Sequence, residues 1–67
     1  MRATVESLRI ALRSAADTDL NDAIDLIIYY CHTHKPYPET LERLLEPIEG
    51  DDNFNRRLGL VRSQLGI

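Results

Sequence analysis

The segment at residues 20–31, LNDAIDLIIYYC, is the most apolar part of the chain and constrains its fold most strongly. Placed on a helix at about 100° per residue, its apolar side chains cover an arc of roughly 200°. A surface helix needs an apolar stripe of little more than about 100°, so this helix has to be covered from at least two directions. A buried β-strand is the competing interpretation, because LIIYYC is rich in β-formers, but Asp22 and Asp25 break any alternation and favour a helix. The segment therefore predicts a central helix, or one half of an interface.

The length of 67 residues allows one helical domain, residues 1–67. A domain of this size buries only about 60% of its unfolded surface, which leaves its stability marginal. The single cysteine cannot form an intrachain disulfide, and no Cys/His set has the spacing of a structural zinc site. Self-association would bury more surface. We therefore expect a homodimer, in which the extra apolar edge of the central helix, formed by Leu26, Ile27 and Tyr30, meets a second subunit.

Apolar residues recur at three- and four-residue spacing in four stretches, which is typical of amphipathic helices. The predicted helices cover residues 3–16, about 20–35, 38–49 and, after a cap at residues 51–53, residues 54–65. One of residues 17–19 is expected to cap the second helix, Pro38 to open the third, and Gly66 to close the fourth in a left-handed conformation. Pro47 removes a backbone hydrogen bond, so the third helix either bends in its last turn or has ended by Glu46. The predicted fold class is all-α, a small bundle of three to four short helices.

The formal net charge of −3 is distributed unevenly. Net charges are +2 in residues 1–16, −8 in 17–52 and +3 in 53–67. This pattern predicts terminal helices that pack beside the middle ones with complementary charges, each exposed pair being worth only a few tenths of a kcal/mol. On the first helix, Arg2, Arg9 and Arg13 share one border of the apolar face, where they could meet acids on a neighbouring helix. The alternative is a polar surface that selects a partner.

The sequence Cys31-His32-Thr33-His34 is the only cluster of metal-binding residue types. On a helix Cys31 and His34 share a face while His32 points away, which gives two ligands where a structural zinc needs four. We therefore expect no metal and no cofactor, and an unpaired thiol that suits a reducing compartment. No run approaches the roughly 18 apolar residues of a membrane span. The expected location is the cytoplasm, without membrane association.

Catalysis is not expected from this chain. Its serines lie in amphipathic helices without a strained turn, its histidines have no evident orienting partner, and its isolated glycines cannot form a phosphate loop. Nucleic-acid binding is an alternative, carried by Asn55, Arg56 and Arg62 on the fourth helix. Acids on the third helix would repel phosphates, however, and the pI of about 5.2 is low for a nucleic-acid-binding domain.

Protein binding is the remaining function class. The third helix carries a row of acids, and tyrosines outside the main apolar stripes are residues favoured at binding hot spots. The predicted protein-binding residues are Tyr29, Tyr37, Glu39, Glu42 and Glu46. The sequence predicts a non-catalytic module, a small regulator or inhibitor of bacterial or phage type, that binds a protein partner as a homodimer. The alternatives are a dimeric DNA-binding transcriptional regulator that uses the fourth helix, and a small enzyme or metal-binding protein.

Overall fold

A computed structural model describes residues 3–67, which form four α-helices and no strand. The helices are α1 (Val5–Ser14), α2 (Leu20–His34), α3 (Pro38–Leu44) and α4 (Asp52–Leu65), with one 3₁₀ turn, Asp17–Asp19, before α2. The all-α prediction is confirmed for the described part of the chain. None of these helices has the length and apolarity required to cross a membrane. The predicted position of Arg2 on the border of the apolar face of the first helix lies outside the described residues.

Side-chain caps set the first residues of α1 and α4. The Thr4 hydroxyl accepts a hydrogen bond from the backbone N–H of Ser7 (3.1 Å), and the Ser7 hydroxyl accepts one from the backbone N–H of Thr4 (2.8 Å). This reciprocal pair satisfies donors that have no partner inside a helix. At α4, the Asp51 carboxylate accepts from the backbone N–H of Phe54 at 3.0 Å. The predicted side-chain cap of α2 is wrong, because Asp19 makes no such bond and the 3₁₀ turn leads directly into the helix.

Prolines separate α2 from α3 and shorten α3. Lys35 closes α2 in the left-handed conformation (φ 47°), and Pro38 is the first residue of α3, as predicted. Of the two predicted outcomes for α3, a bent last turn extending to residue 49 is wrong, and an end by Glu46 agrees with the structure, since the helix ends at Leu44. A helix continued through Pro47 would place the proline ring against the carbonyl group of Arg43. That carbonyl group instead accepts a hydrogen bond from a side chain of α1.

The core is built from apolar residues of all four helices, and α1 is the helix that packs against each of the other three. Its buried members are Val5, Leu8, Leu12, Ala23, Ile24, Ile27, Leu44, Leu45, Phe54, Leu58 and Val61. Ile27 is only 1% exposed. It was expected at a dimer interface, but it belongs to the core of the single chain, because α1 and α4 pack on α2 and cover that part of its apolar arc. In this fold Ile27 has no surface to offer a second subunit.

Two arginines bind the C-terminal carbonyl groups of helices other than their own. Arg57 of α4, which is 3% exposed, donates from Nη1 to the carbonyl oxygens of Leu12 and Ala15 at the end of α1, both at 2.8 Å. Arg9 of α1 donates from Nη1 to the carbonyl oxygens of Arg43 (2.9 Å) and Leu44 (3.0 Å) at the end of α3. The last carbonyl groups of a helix have no partner inside it, so these arginines satisfy acceptors that the fold would otherwise leave unpaired.

Candidate protein-binding surfaces

A groove between α3 and α4, here called the α3–α4 groove, contains most of the predicted acidic row. Its volume is about 570 Å³, and it is lined by Glu39, Glu42, Arg43, Leu45, Glu46, Pro47 and Arg62. The spacing of three residues places Glu39 and Glu42 on one side of α3, and Glu46 follows just after the helix ends at Leu44. All three are exposed. Glu49 lies beyond the end of α3 and does not line the groove. The structure therefore brings together three of the five predicted protein-binding residues.

The three predicted nucleic-acid contacts do not form a free basic surface. The side-chain amide of Asn55 accepts from the backbone N–H of Ile48 and donates to its carbonyl oxygen, both at 2.9 Å. Arg56 is exposed and donates from Nη2 to the Asn53 side chain at 2.8 Å. Arg62 lines the α3–α4 groove together with the glutamates, which would repel a phosphate. Asn55 therefore fixes the segment between α3 and α4, and Arg62 lies in an acidic setting.

A second cavity, the α1–α3 cleft, lies on the α1 side of α3. Its volume is about 290 Å³, and it is lined by Glu6, Arg9, Ile10, Arg13, Arg43, Glu46, Ile48 and Phe54. The guanidinium group of Arg9 lies over the Phe54 ring, 5.1 Å from its centroid, and Arg13 Nε donates to Asp51 Oδ2 at 2.7 Å. Arg13 therefore meets an acid from the middle of the chain, as predicted, whereas Arg9 meets carbonyl groups.

The α1–α3 cleft was not predicted as a site. The arginine border of the first helix and the isolated outward position of Ile10 were the available signals. Locating Arg43 beside them required the packing of α3 against α1, which periodicity does not give. Both Arg43 and Glu46 line the cleft and the α3–α4 groove, so α3 separates one mainly basic cavity from one mainly acidic cavity.

The outer face of α2 carries adjacent apolar and aromatic side chains, here called the α2 surface: Leu26, Tyr29 and Tyr30. Leu26 is 47% exposed, Tyr29 is more exposed, and Tyr30 is half-buried and stacks on His34 with ring centroids 4.5 Å apart. Spacings of three and four residues place both tyrosines one turn from Leu26. Tyr37 is exposed in the segment between α2 and α3, and it does not line the α3–α4 groove.

The cysteine and histidines at the end of α2 do not form a metal site in the described part of the chain. No three His, Cys, Asp or Glu side chains within residues 3–67 are grouped so that they could hold a metal ion. Cys31 lines a small cavity of about 270 Å³ together with His32, Leu41 and Leu65, among others. Burial raises the pKa of the Cys31 thiol. A raised pKa leaves the sulfur protonated and weakly nucleophilic at neutral pH.

Comparison of the chain with protein-family models gave no match. Searches of curated proteins and of solved structures likewise gave no significant match.

Proposed function

We propose that the protein is a non-catalytic protein-binding module, acting as a homodimer in the manner of a small regulator or inhibitor. The observation that carries the proposal is the α2 surface. Leu26 and Tyr29 project from a helix whose opposite face fills the core, and a second subunit would remove them from water. Single exposed apolar side chains are ordinary, but adjacent ones on a rigid helix are typical of contact surfaces. Tyrosine also contributes strongly at protein interfaces.

Charges along α2 support an antiparallel pairing of two copies. Asp22 and Asp25 lie before the midpoint of the helix, whereas His32, His34 and Lys35 lie at its C-terminal end. A two-fold axis near Leu26 would place the acidic half of one α2 beside the basic end of the other. Antiparallel helix dipoles add to this complementarity.

The surface proposed for the protein partner is α3 with its acidic row. Glu39, Glu42 and Glu46 are exposed and close together, so they suit a partner that carries basic residues. Tyr37, just before α3, extends this surface with an exposed aromatic ring. The homodimer would present two copies of it.

The alternative of a DNA-binding regulator has less support, because the Asn55 amide is engaged by the Ile48 backbone and Arg62 lies among glutamates. A small enzyme or metal-binding protein is the third alternative, and no arrangement of side chains within residues 3–67 favours it over protein binding.

Sedimentation equilibrium at micromolar concentration tests the homodimer. The wild-type protein should have the mass of a dimer, and Leu26→Asp should have the mass of a monomer with unchanged helical circular dichroism. Leu60→Asp is the matched control, since Leu60 is similarly exposed (40%) but lies on α4. A folded wild-type monomer, or equal effects of both substitutions, would contradict the proposed interface.

Affinity capture followed by variants tests the partner surface. Glu39→Gln combined with Glu42→Gln should reduce recovery of a captured protein partner, whereas Glu49→Gln, an acid outside the groove, should not. Recovery of nucleic acid in place of protein would favour the DNA-binding alternative. Equal recovery by all variants would mean that the acidic row is only a solvated face.

A further inference from the structure

We infer that the α1–α3 cleft binds an acidic segment of the protein partner, with a carboxylate held between Arg13 and Arg43 and an apolar side chain against Ile10. This inference rests on the proposed function, because it assigns the chemistry of part of the proposed partner.

The three arginines of the cleft differ in how many of their side-chain N–H groups already donate a hydrogen bond within residues 3–67. Arg9 is fixed by the two carbonyl oxygens at the end of α3 and by the Phe54 ring, so it forms the inner wall of the cleft. Arg13 uses Nε for Asp51 and retains its two terminal nitrogens on a largely exposed side chain. The side chain of Arg43 donates to none of residues 3–67. Arg13 and Arg43 are therefore the groups available to a carboxylate, which guanidinium binds in a two-pronged geometry.

Apolar surface lies beside these charges. Ile10 is 62% exposed, although it lies on a helix whose other apolar residues are largely covered. Half-buried Ile48 and the buried Phe54 ring complete the apolar lining. The volume of 290 Å³ is just below the usual range of about 300–1,000 Å³ for small-molecule pockets, which favours side chains of a larger partner.

The distribution of charge favours an acidic peptide over a nucleic acid. Glu6 and Glu46 lie on the lining of the same cleft. A polyanion that follows the surface would place successive phosphates near these carboxylates and would meet a chain of net charge −3. A peptide can place one carboxylate at the arginines and an apolar side chain at Ile10, and it needs no second anion beside Glu6.

The position of the cleft beside α3 indicates which charges the partner presents on each side of that helix. Arg43 and Glu46 line cavities on both sides of α3. A partner that covers α3 would meet mainly arginines on the α1 side and mainly glutamates on the α4 side. It would thus present an acidic segment to one cavity and basic residues to the other, an arrangement that fixes its orientation.

An NMR titration with a peptide probe tests the cleft. The probe is the capped peptide acetyl-Ala-Glu-Leu-Ala-amide, and the matched probe carries glutamine in place of the glutamate. We expect saturable shifts of the Ile10, Arg13 and Arg43 amides at low millimolar concentration of the acidic probe, and about tenfold weaker binding of the glutamine probe. Added salt should weaken binding of the acidic probe, because it screens the attraction between the carboxylate and the arginines.

Substitutions in and outside the α1–α3 cleft test whether the acidic probe binds there. Arg43→Gln should weaken binding of the acidic probe by about tenfold. Arg62→Gln should leave that binding unchanged, because Arg62 is exposed but lines only the α3–α4 groove. Ile10→Ser should weaken it as well, since it removes the apolar contact. The inference is overturned by absent shifts, by equal binding to wild type and Arg43→Gln, or by tighter binding of a single-stranded oligonucleotide at the same amides.

The readouts separate this inference from the proposed homodimer. The cleft is lined by no residue of α2. The Leu26→Asp variant should therefore show the same amide shifts with the probe, whether it is a monomer or a dimer. A dimer that shows no probe shifts overturns the cleft assignment alone. A wild-type monomer that binds the probe overturns the dimer alone.

Discussion

Arg57 of α4 donates a 2.8 Å hydrogen bond from Nη1 to the carbonyl oxygen of Leu12, 45 residues earlier in the chain. Its Nη2 also lies 3.2 Å from a carboxylate oxygen of Asp17, whose side chain is 91% exposed. An ion pair with so exposed a partner is strongly screened, whereas the bonds to carbonyl groups are buried or partly buried. Arg57 therefore stabilises the fold mainly through backbone carbonyl groups.

Arg57→Met should lower the free energy of unfolding by about 2–4 kcal/mol, because the carbonyl groups of Leu12 and Ala15 lose their donor while the apolar volume is kept. Asp17→Asn should lower it by less than about 0.5 kcal/mol. Urea denaturation measures both. Equal losses would assign the stabilisation to the ion pair, and no loss in Arg57→Met would mean that the desolvation cost of the guanidinium cancels its hydrogen bonds.

Arg9→Gln should lower the free energy of unfolding by about 1–2 kcal/mol. The substitution removes the donor to the Arg43 and Leu44 carbonyl groups and the cation over the Phe54 ring. Arg56→Gln is the control, an exposed arginine whose change should stay within about 0.5 kcal/mol. Hydrogen exchange in the last turn of α3 should increase in Arg9→Gln, and unchanged exchange there would contradict the capping role.

The stability of the protein should fall in acid partly through Asp51. The hydrogen bond from the Phe54 N–H, and then the Arg13 guanidinium, lower the pKa of the Asp51 carboxyl below its ordinary value of 3.8. A folded-state pKa below the unfolded-state value gives stability that is present above about pH 4 and is lost as the pH falls through the folded-state pKa. Asp51→Asn can still accept the capping bond but does not titrate. The difference in Tm between wild type and this variant should therefore be largest near neutral pH and shrink below pH 4, and a difference independent of pH would contradict the assignment.

Gly59→Ala should raise the free energy of unfolding by about 0.5–1 kcal/mol. Gly59 lies inside α4, and a Cβ built there has no neighbour within 4 Å, so alanine gains helix propensity without a clash. Gly66→Ala is the contrasting variant and should destabilise, because Gly66 closes α4 with φ of 77°. Urea denaturation at two protein concentrations measures the change. A loss of stability in Gly59→Ala would indicate that another chain packs on this face.

Alkylation of Cys31 should be slow at neutral pH. Burial of the thiol raises its pKa above the ordinary value of 9.0, so little thiolate is present near pH 7. The rate of reaction with iodoacetamide, followed by mass spectrometry, should rise with pH with a midpoint above 9. The same measurement in concentrated urea should give the lower midpoint of an exposed cysteine. A folded-state midpoint below the unfolded one would contradict the effect of burial.

Periodicity predicted three to four helices in the observed order, because the apolar stripes of α1 and α4 repeat without interruption. It did not predict that Ile27 belongs to the core, since an apolar arc of about 200° on a helical wheel has the same appearance whether other helices of the chain or a second subunit cover it. Periodicity places Arg57 on a flank of the fourth helix. On a helical wheel it lies next to the core position of Val61, but the carbonyl groups that make its burial favourable lie 42 and 45 residues away.

The candidate surfaces were predictable where they depend on one helix. The exposed side of α3 with Glu39 and Glu42 and the exposed side chains of α2 follow from spacing alone, whereas Glu46 and Glu49 lie beyond the end of α3. The α1–α3 cleft depends on how two helices pack, so it could not be read from a single segment. Pro47 indicated an end of α3 by Glu46, but not that Arg9 of α1 supplies the donors to the last carbonyl groups of α3.

The capping of α1 by Arg57 has a consequence for the order of folding. A hairpin of α1 and α2 that forms first leaves the Leu12 and Ala15 carbonyl groups without this donor until α4 docks, and that docking closes a loop of about 45 residues with the corresponding loss of chain entropy. The last carbonyl groups of α1 thus receive this donor only when α4 docks. Release of α4 by a local fluctuation would also fray the end of α1, so the two helices should exchange their amide protons as one cooperative unit.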